Sequence, residues 1–197
     1  MKSNIKNLKI TAEKGKYFRK RVTKEAFGEK FVIQLRDIVH SSYGNHLEMS
    51  RVIRTNDSSI KEADYLKSGD VLITVKGVNK HAIVLTHVPT KTVASQHFLL
   101  LRSPDKTKFL PEFIEFIVNS ESSQRYFDRK CGGTYISTLN KEILENLPFP
   151  DIDIDKQKKI IRLAKEIMEE KKLMLDLIEN RDLQLRTYST KLIREGK

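Results

Sequence analysis

The sequence predicts an α+β body followed by one long C-terminal helix. β-Branched runs bounded by turn residues occur before residue 102, and helical patterns occupy the chain from residue 111 onward. Strands first and helices afterwards are typical of α+β domains. The 45 residues of 151–195 contain neither glycine nor proline, so the helical part ends in an uninterrupted helix. We therefore expect a globular domain over 1–150 and a helix over 151–197, which suits a chain of 197 residues.

Short apolar runs between turn residues predict the strands of the body. They cover Phe31–Leu35, Val71–Val75, Ala82–Val88 and His97–Leu101. The turn Leu66–Asp70 precedes the second strand, and the turn Lys76–Lys80 follows it. Because so short a turn joins the second strand to the third, we expect these two strands to pair in antiparallel orientation.

Helices are predicted in the second half of the body. In order, these elements are a helix over 112–119 with Pro111 in its first turn, a continuation over 120–129, a loop over 131–134, a short helix capped by Ser137 or Thr138 and ending at Asn146, and an extended exit over 147–150. Proline is favoured in a first helical turn, and serine or threonine at an N-cap.

The C-terminal helix carries a heptad repeat. The repeat positions, taken alternately four and three residues apart, are Ile160, Ala164, Ile167, Lys171, Met174, Ile178, Arg181, Leu185, Tyr188 and Leu192, which we call the seam. Eight of the ten are apolar, a pattern that predicts a coiled coil. A helix over 157–195 would be roughly 58 Å long. The alternatives are pairing with another helix, as in a homodimer, and folding back onto the body; the length favours pairing.

The positive charge of the chain is concentrated in the body. Residues 1–150 hold 25 Lys+Arg against 16 Asp+Glu, whereas residues 151–197 hold 12 against 10. Residues 1–30 alone contain ten basic and three acidic side chains, with Arg19, Lys20 and Arg21 consecutive. Nucleic acid is the partner that this charge favours, since phosphates attract Lys and Arg. An anionic membrane and a merely solvated terminus are the alternatives.

Two loops and one strand end supply further candidate DNA contacts. The first loop contains Lys76, Gly77, Asn79 and Lys80, the second contains Lys130, Gly132, Gly133, Thr134 and Tyr135, and Gln96 stands at the strand end. Glycine allows a close approach of the backbone, and lysine or asparagine reaches phosphates or base edges. The amide of Gln96 could bind adenine in the major groove. The first loop is also compatible with a plain hairpin turn, and Gln96 with a bond to local backbone.

Patterns typical of enzymes are missing from the sequence. The five histidines, His40, His46, His81, His87 and His97, show neither HxxxH nor HxH spacing, and no GxxxxGK[ST] or GxSxG motif occurs. A metal-dependent nuclease would place an acid at Thr74, between Asp70 and Lys76. Cys131 has no evident base nearby. We therefore expect no catalytic residue, metal site or cofactor in this chain.

The sequence also predicts a soluble protein of a reducing cytoplasm. One cysteine forms no intramolecular disulfide. No apolar run approaches the ~20 residues that span a bilayer, and no apolar stretch follows the N-terminal lysines as it would in a secretory signal.

The order of several motifs resembles a known family. The motifs are GDVLITVKG at 69–77, ASQHF at 94–98, PEFI at 111–114, Ser120 with Gln124, GTYIS at 133–137, LPFP at 147–150 and QKKI at 157–160. From about residue 65 to the C-terminus, this series resembles the target recognition domain and following helix of the specificity subunit of type I restriction–modification systems. Lys156 stands where the family usually has glutamate. Full-length members carry two such domains and two helices, so the chain resembles a half-size subunit.

The resemblance implies a specific function. A target recognition domain over 1–150 would read one half of a bipartite site in double-stranded DNA. The helix would set the spacing to a second half-site and hold the methyltransferase (modification) subunits, which bring S-adenosylmethionine; a restriction subunit could join them. The alternative is a coiled-coil homodimer that binds nucleic acid or assembles other proteins without sequence specificity, or an inhibitor that occupies the place of a specificity subunit. A nuclease is a third possibility.

Overall fold

The computed structural model describes residues 3–41, 44–77, 79–132 and 138–195. The strands are β1 Ser3–Asn4, β2 Thr11–Lys14, β3 Lys30–Ile33, β4 Ile38–Ser41, β5 Gly44–Leu47, β6 Ile53–Thr55, β7 Val71–Thr74, β8 Ala82–Val84, β9 Thr92–Ala94, β10 Phe98–Arg102 and β11 Pro148–Phe149. The helices are α1 Pro111–Asn119, α2 Glu121–Lys130, α3 Lys141–Glu145 and α4 Ile154–Glu195. The chain is an α+β domain with a long C-terminal helix, as predicted.

Two sheets form the centre of the body. The larger sheet has the order β2-β10-β7-β8 and is antiparallel throughout. The smaller sheet has the order β6-β3-β9, in which β3 pairs antiparallel with β6 and parallel with β9. Strands β4 and β5 form a separate hairpin, and β1 pairs with β11. The strands predicted over 71–75 and 82–88 correspond to β7 and β8, and their predicted antiparallel pairing is confirmed.

Both faces of the larger sheet are covered by apolar side chains. Val71 and Ile73 of β7 belong to a core that includes the helices α1, α2 and α3, whereas Leu72 packs against residues of the smaller sheet. In β10, Leu101 packs into the first of these cores and Leu100 into the second. A third core lies around Val32 of the smaller sheet. The body is therefore layered, with helices, the larger sheet and the smaller sheet in succession.

Several predicted helices and strands begin or end at residues other than those expected. The predicted helix over 112–129 is two helices, because Ser120 adopts φ −66° and ψ 150° and caps α2 through its hydroxyl. The hydroxyl of Ser120 also donates to the carbonyl of Ile117 at 2.7 Å. The short helix α3 is capped by Asn140, whose Oδ1 accepts from the amide of Ile143 at 2.8 Å, and not by Thr138. Ser137 lies outside the described residues. The predicted strands over 31–35 and 82–88 are shorter, since β3 ends at Ile33 and β8 at Val84.

A buried ion pair closes the end of the larger sheet where β7 begins. The carboxylate of Asp70 is buried and accepts from Nε and Nη2 of Arg102, both at 2.7 Å. It also accepts from the backbone amide of Lys67 at 2.7 Å. Gly69 has φ +89°, which favours glycine at this turn. The Gly69-Asp70 motif is thus structural, because it joins the start of β7 to the end of β10.

The side chain of Gln157 connects α4 to the body. Gln157 is fully buried, and its Oε1 accepts from the backbone amide of Leu110 at 3.0 Å. Its Nε2 donates to the carbonyls of Lys108 and Ile152, at 2.8 and 2.9 Å. The oxygen and both N–H groups of this buried amide are therefore hydrogen-bonded to backbone groups.

Helix α4 leaves the body after four turns. Ile161 is buried against the helical core, and Met168 lies within 3.9 Å of the position that a Cβ on Gly44 would occupy. From residue 169 to 195 the helix extends beyond the body for roughly 40 Å. In the part of the chain that the structure describes, no helix combines the length and apolarity that crossing a membrane requires.

A groove between α1 and α4 contains a carboxyl with an altered pKa. Val84, Phe116, Ile161, Ala164, Met168 and Glu115 are among the residues that line its volume of about 470 Å³. Burial raises the pKa of Glu115 to about 7, against the opposing effect of a hydrogen bond from the backbone of Val84. Glu112 raises this pKa further, and Lys165 lowers it. The carboxyl of Glu115 is therefore half protonated near neutral pH.

We expect Gln157→Leu to lower the free energy of unfolding by roughly 2–4 kcal/mol, because it leaves one amide and two carbonyls buried without their partner. Urea denaturation followed by circular dichroism measures this change. Gln184→Leu on the projecting part of α4 is the control, and its exposed site predicts a change below about 0.5 kcal/mol. Equal effects of the two substitutions would contradict the structural role of Gln157.

We expect Glu115→Gln to remove a pH dependence of stability. Between about pH 4.5 and 7 the folded chain holds a proton on Glu115 that the unfolded chain has lost, so the wild-type free energy of unfolding falls as pH rises through this window. The variant has no such group and should gain roughly 1 kcal/mol relative to wild type between pH 5 and pH 8, a value reduced for partial exposure. Urea titrations at both pH values test this. Parallel pH profiles of the two proteins would contradict the expectation.

Candidate nucleic-acid interface

One end of the larger sheet gathers the segments that were predicted to contact DNA. At this end β2 and β7 finish and β8 and β10 begin, because the four strands alternate in direction. Three segments therefore lie side by side at this end. They are residues 15–24, which we call the basic segment, the turn 75–81 and the turn 95–97. The backbone amide of Val75 donates to the carbonyl of His97 at 2.9 Å, and the amide of Leu139 donates to Val75 at 2.9 Å. We call this surface the loop end.

A groove at the loop end is lined mainly by polar and cationic side chains. It has a volume of about 330 Å³, and its lining residues are Phe18, Lys20, Arg21, Val22, Gln34, Leu35, Arg36, Ser95, Gln96 and His97. Lys20, Arg21 and Gln96 were predicted site residues. Arg36 and Gln34 were missed; Arg36 directly follows the predicted strand 31–35, which was an available signal, whereas Gln34 lies within that strand. We call this site the basic groove.

Backbone contacts hold the basic segment against the turn 95–97. The amide of Gly15 donates to the carbonyl of Phe98 at 3.0 Å, and the amide of Lys16 donates to that of Ala94 at 2.7 Å. A Cβ on Gly15 would lie 2.1 Å from the carbonyl oxygen of Ser95, so only glycine allows this approach. Oε1 of Gln96 accepts from the amide of Phe18 at 3.3 Å. The side-chain oxygen of Gln96 thus binds the backbone of the basic segment, a long-range contact, while the side chain still borders the groove.

A buried carboxylate positions the opposite wall of the basic groove. Asp37 is fully buried, and burial raises its pKa. Its Oδ2 accepts from the amide of Gln34 at 2.7 Å, and its carbonyl accepts from the amide of Glu48 at 2.8 Å. Arg36 Nε lies 3.8 Å from Oδ1 of Asp37, and the side chain of Arg36 is largely exposed. The guanidinium of Arg36 is therefore held at the rim of the groove and faces solvent.

The cations of the basic segment differ from those that stabilise the fold. Arg19, Lys20 and Arg21 are exposed, and within the described ranges none of them forms an ion pair. By contrast, Lys16 pairs with Asp64 at 2.8 Å. An unpaired exposed cation keeps its charge for an external anion, which is what a phosphate contact requires.

The turn between β7 and β8 combines exposed and buried residues. Lys76, Gly77 and Asn79 are exposed, and Gly77 has φ +121°. Lys80 is buried, and its Nζ donates to the carbonyl of Gly77. Burial lowers the pKa of Lys80. This placement disagrees with the predicted phosphate contact of Lys80, because the ammonium is directed into the turn that it closes.

The amide of Gln124 fixes the same turn from the side of α2. Its Oε1 accepts from the backbone amide of Lys80 at 2.9 Å, and its Nε2 donates to the carbonyl of Lys80 at 3.0 Å. Asn119 binds both backbone groups of Ala82 in the same way, at 2.8 and 2.9 Å. Gln124, one of the motif residues, thus has a structural role at the loop end.

The C-terminus of helix α2 carries the described part of the second predicted loop, Lys130 to Gly132. Lys130 is exposed at the C-terminus of α2. Gly132 has φ +74°, and no heavy atom lies within 4 Å of the position that a Cβ on it would occupy. Gly132 is therefore needed for its backbone conformation and not for space. Gly133, Thr134 and Tyr135 lie outside the described residues. Burial raises the pKa of the Cys131 thiol, which disfavours its thiolate form.

A pair of histidines near the loop end was not predicted from the sequence. Nδ1 of His40 lies 2.6 Å from Oδ1 of Asn45, and Nδ2 of Asn45 lies 2.9 Å from Nδ1 of His81. The two imidazole centroids are 4.6 Å apart, and burial followed by the charge of His40 lowers the pKa of His81. Among the residues described, no three His, Cys, Asp or Glu side chains are grouped as a metal site would need.

The seam of α4 is divided between the body and solvent. Ile160 and Ala164 are partly buried, and Ile160 packs against the helical core. The six later apolar positions, which are Ile167, Met174, Ile178, Leu185, Tyr188 and Leu192, are 55 to 70% exposed. Two turns of the predicted seam thus contact the body, and the remaining turns form an uncovered apolar stripe on the projecting helix.

Comparison with known proteins supports the fold. No protein-family model matches the sequence, and no curated protein matches it either. Among solved structures, the type I restriction–modification system S subunit from M. genitalium matches with a TM-score of 0.57 and 17% sequence identity. The match covers 91% of this chain and 41% of that subunit, so the chain spans less than half the length of its structural neighbour. The fold, a domain of mixed sheets and helices with a long C-terminal helix, is therefore similar to that of part of this S subunit.

Proposed function

We propose that this chain is a DNA-recognition component of a type I restriction–modification complex and reads one half of a bipartite site. The observation that carries the proposal is the loop end, where exposed cations, glycine turns and polar side chains converge on a fold like that of an S subunit. Arg19, Lys20, Arg21 and Lys76 would contact phosphates. Gln96, Asn79 and the rim of the basic groove would face base edges.

The second half-site would be read by a second recognition domain. The chain covers 41% of its neighbour, and the uncovered stripe on α4 offers an apolar surface for another helix. An antiparallel pairing of two copies would hold two basic bodies tens of Å apart, at opposite ends of the coiled coil. Lys171 and Arg181 would weaken the centre of this seam, so the proposed homodimer is of moderate stability.

Chemistry would be supplied by partner subunits. The resemblance implies methyltransferase subunits that carry S-adenosylmethionine and dock on the helices. In this arrangement the present chain has no catalytic residue of its own and acts by positioning DNA. A nucleic-acid-binding assembly protein without sequence preference is the competing function, and it predicts equal affinity for all duplexes.

Selection from a random duplex library tests the proposal, since a recognition subunit enriches one sequence that it prefers to scrambled DNA even at physiological salt. Replacing Arg19, Lys20 and Arg21 with alanine should weaken binding to the selected and scrambled duplexes by a similar factor. The slope of log K against log salt should fall by about one unit for each lost phosphate contact.

The matched control removes the same charge from the opposite end of the larger sheet. Lys6, Lys9 and Lys67 are exposed; Lys9 and Lys67 stand shortly before β2 and β7 begin. Their replacement by alanine should leave the salt slope close to that of the wild type. No enriched sequence would contradict specific recognition, and equal slopes for the two triple variants would contradict the use of the basic segment.

The helix prediction concerns oligomeric state. Ile167→Asp with Ile178→Asp places two charges in the uncovered stripe and should convert a dimer into a folded monomer, as seen by analytical ultracentrifugation at tens of micromolar. The control is Leu173→Asp with Leu183→Asp, two somewhat more exposed residues off the seam, and this variant should remain dimeric. A monomeric wild-type chain would overturn the homodimer and leave the stripe to a methyltransferase helix.

A further inference from the structure

Phe27 is an unusual aromatic residue for a folded body. Outside α4, the exposed large apolar side chains of the described residues are Tyr17, Phe27 and Phe116, and Phe27 is the most exposed at 93%. The neighbouring Phe18 is buried. A phenyl ring in water gives up the stabilisation that its burial would provide. The exposed ring of Phe27 is therefore a candidate contact for a binding partner.

The turn that carries Phe27 is anchored on the side of Glu25. Oε1 of Glu25 accepts from Thr55 Oγ1 at 3.2 Å and from the amide of Asn56 at 3.1 Å. Its Oε2 accepts from Asn56 Nδ2 at 2.8 Å, and its backbone amide donates to the carbonyl of Arg54 at 2.9 Å. These bonds, led by the one from the backbone of Asn56, lower the pKa of Glu25.

The other side of the turn is anchored as well. A Cβ on Gly28 would lie 2.4 Å from the backbone nitrogen of Thr55, so the chain approaches β6 as closely as glycine permits. The amide of Glu29 donates to Oδ1 of Asn56 at 3.0 Å. With both flanks held, Phe27 stands at the tip of a constrained turn, and its exposure is a property of the fold.

The segment that leads to this tip is cationic. Arg19, Lys20, Arg21 and Lys24 precede Phe27 and are exposed. Of the two acids in the turn, Glu25 keeps its charge and binds the neutral groups of Thr55 and Asn56, whereas Glu29 pairs with Lys91. An apolar ring on a surface that presents unpaired cations suits a partner with phosphates outside and an apolar interior.

Duplex DNA has this chemistry. Proteins that bend DNA insert apolar side chains between base steps, while cations on either side hold the backbone. An interfacial membrane contact needs a wide apolar helical face, and this turn offers one ring. The basic segment leads along the chain from the basic groove, which Lys20 and Arg21 line, to the turn that carries Phe27.

We propose that Phe27 is a wedge that inserts its ring between adjacent base pairs of the duplex held by the basic segment. The proposal rests on the proposed DNA-binding function and adds a mode of reading. A step that unstacks easily, such as a pyrimidine–purine step, would be preferred at the position of Phe27 without any hydrogen bond to its bases.

The test compares a mixed-sequence duplex with duplexes that carry a single mismatched pair, which are already easier to unstack. Wild type should bind the mismatched duplexes more tightly, by about tenfold, since part of the unstacking cost has been removed. Phe27→Ala should bind matched and mismatched duplexes with equal affinity and keep the wild-type salt slope. Phe27→Trp should retain the preference, and 2-aminopurine beside the mismatch should brighten only with proteins that keep a ring.

Lys24→Ala is the matched control in the same segment, and it should weaken binding to all duplexes equally while keeping the preference for mismatches. All variants should melt at the wild-type Tm, since both side chains are exposed. A preference that persists in Phe27→Ala, or no preference in wild type, overturns the wedge but not DNA binding. Wild type that binds no duplex at low salt overturns both. Phe27→Ala that loses only a protein partner assigns the ring to a protein interface and also overturns the wedge.

Discussion

The buried amide of Gln157 is the constraint on which the long helix depends. Helix α4 touches the body only over its first four turns, which is a small contact for a helix of 42 residues. Within that contact, two of the three hydrogen bonds of Gln157, to the backbone of Leu110 and Lys108, tie the helix to the body and limit both its height and its rotation. The direction of the uncovered stripe relative to the loop end follows from this single residue and the apolar side chains beside it.

The same device recurs at the loop end. Gln124 and Asn119 each use a side-chain amide to satisfy a backbone amide and a carbonyl of the β7–β8 region. An amide side chain suits this task, since it offers a donor and an acceptor without charge and therefore without the larger cost of burying an ion. Turns that carry exposed polar residues are thereby held by side-chain amides from the neighbouring helices, and the loop end keeps its shape while its grooves stay open.

Local signals in the sequence predicted much of the fold. Short apolar and β-branched runs located β3, β7, β8 and β10, Pro111 marked the start of α1, and the absence of glycine and proline marked α4; the other seven strands of the described residues were not predicted. The break at Ser120 was missed because a serine inside a helical pattern shows its capping role only when the chain turns. The burial of Lys80 and the exposure of Phe27 were missed for a related reason. Both oppose the usual preference of their residue types, and only tertiary contacts decide such cases.

The candidate site was predicted as separate pieces. Basic, glycine-rich and amide-bearing segments could be named from residue type, but their meeting at one end of a sheet follows from strand order, which no single segment encodes. Arg36 joined the site through the same topology. For the helix, the period of 3.5 residues predicted the seam, whereas the contact of Ile160 and Ala164 with the body depended on where α4 docks.

The two-sided burial of β7 and β10 divides the molecule into parts that tolerate substitution and parts that do not. A substitution within these strands disturbs one of the two packed cores and therefore lowers stability, whichever face of the sheet the side chain occupies. At the loop end, exposed positions such as Lys76, Asn79 and Arg21 contribute no core packing. New surface chemistry can therefore arise there by successive single substitutions while the scaffold stays folded. A fold of this kind supports rapid divergence of what it binds without divergence of how it is built.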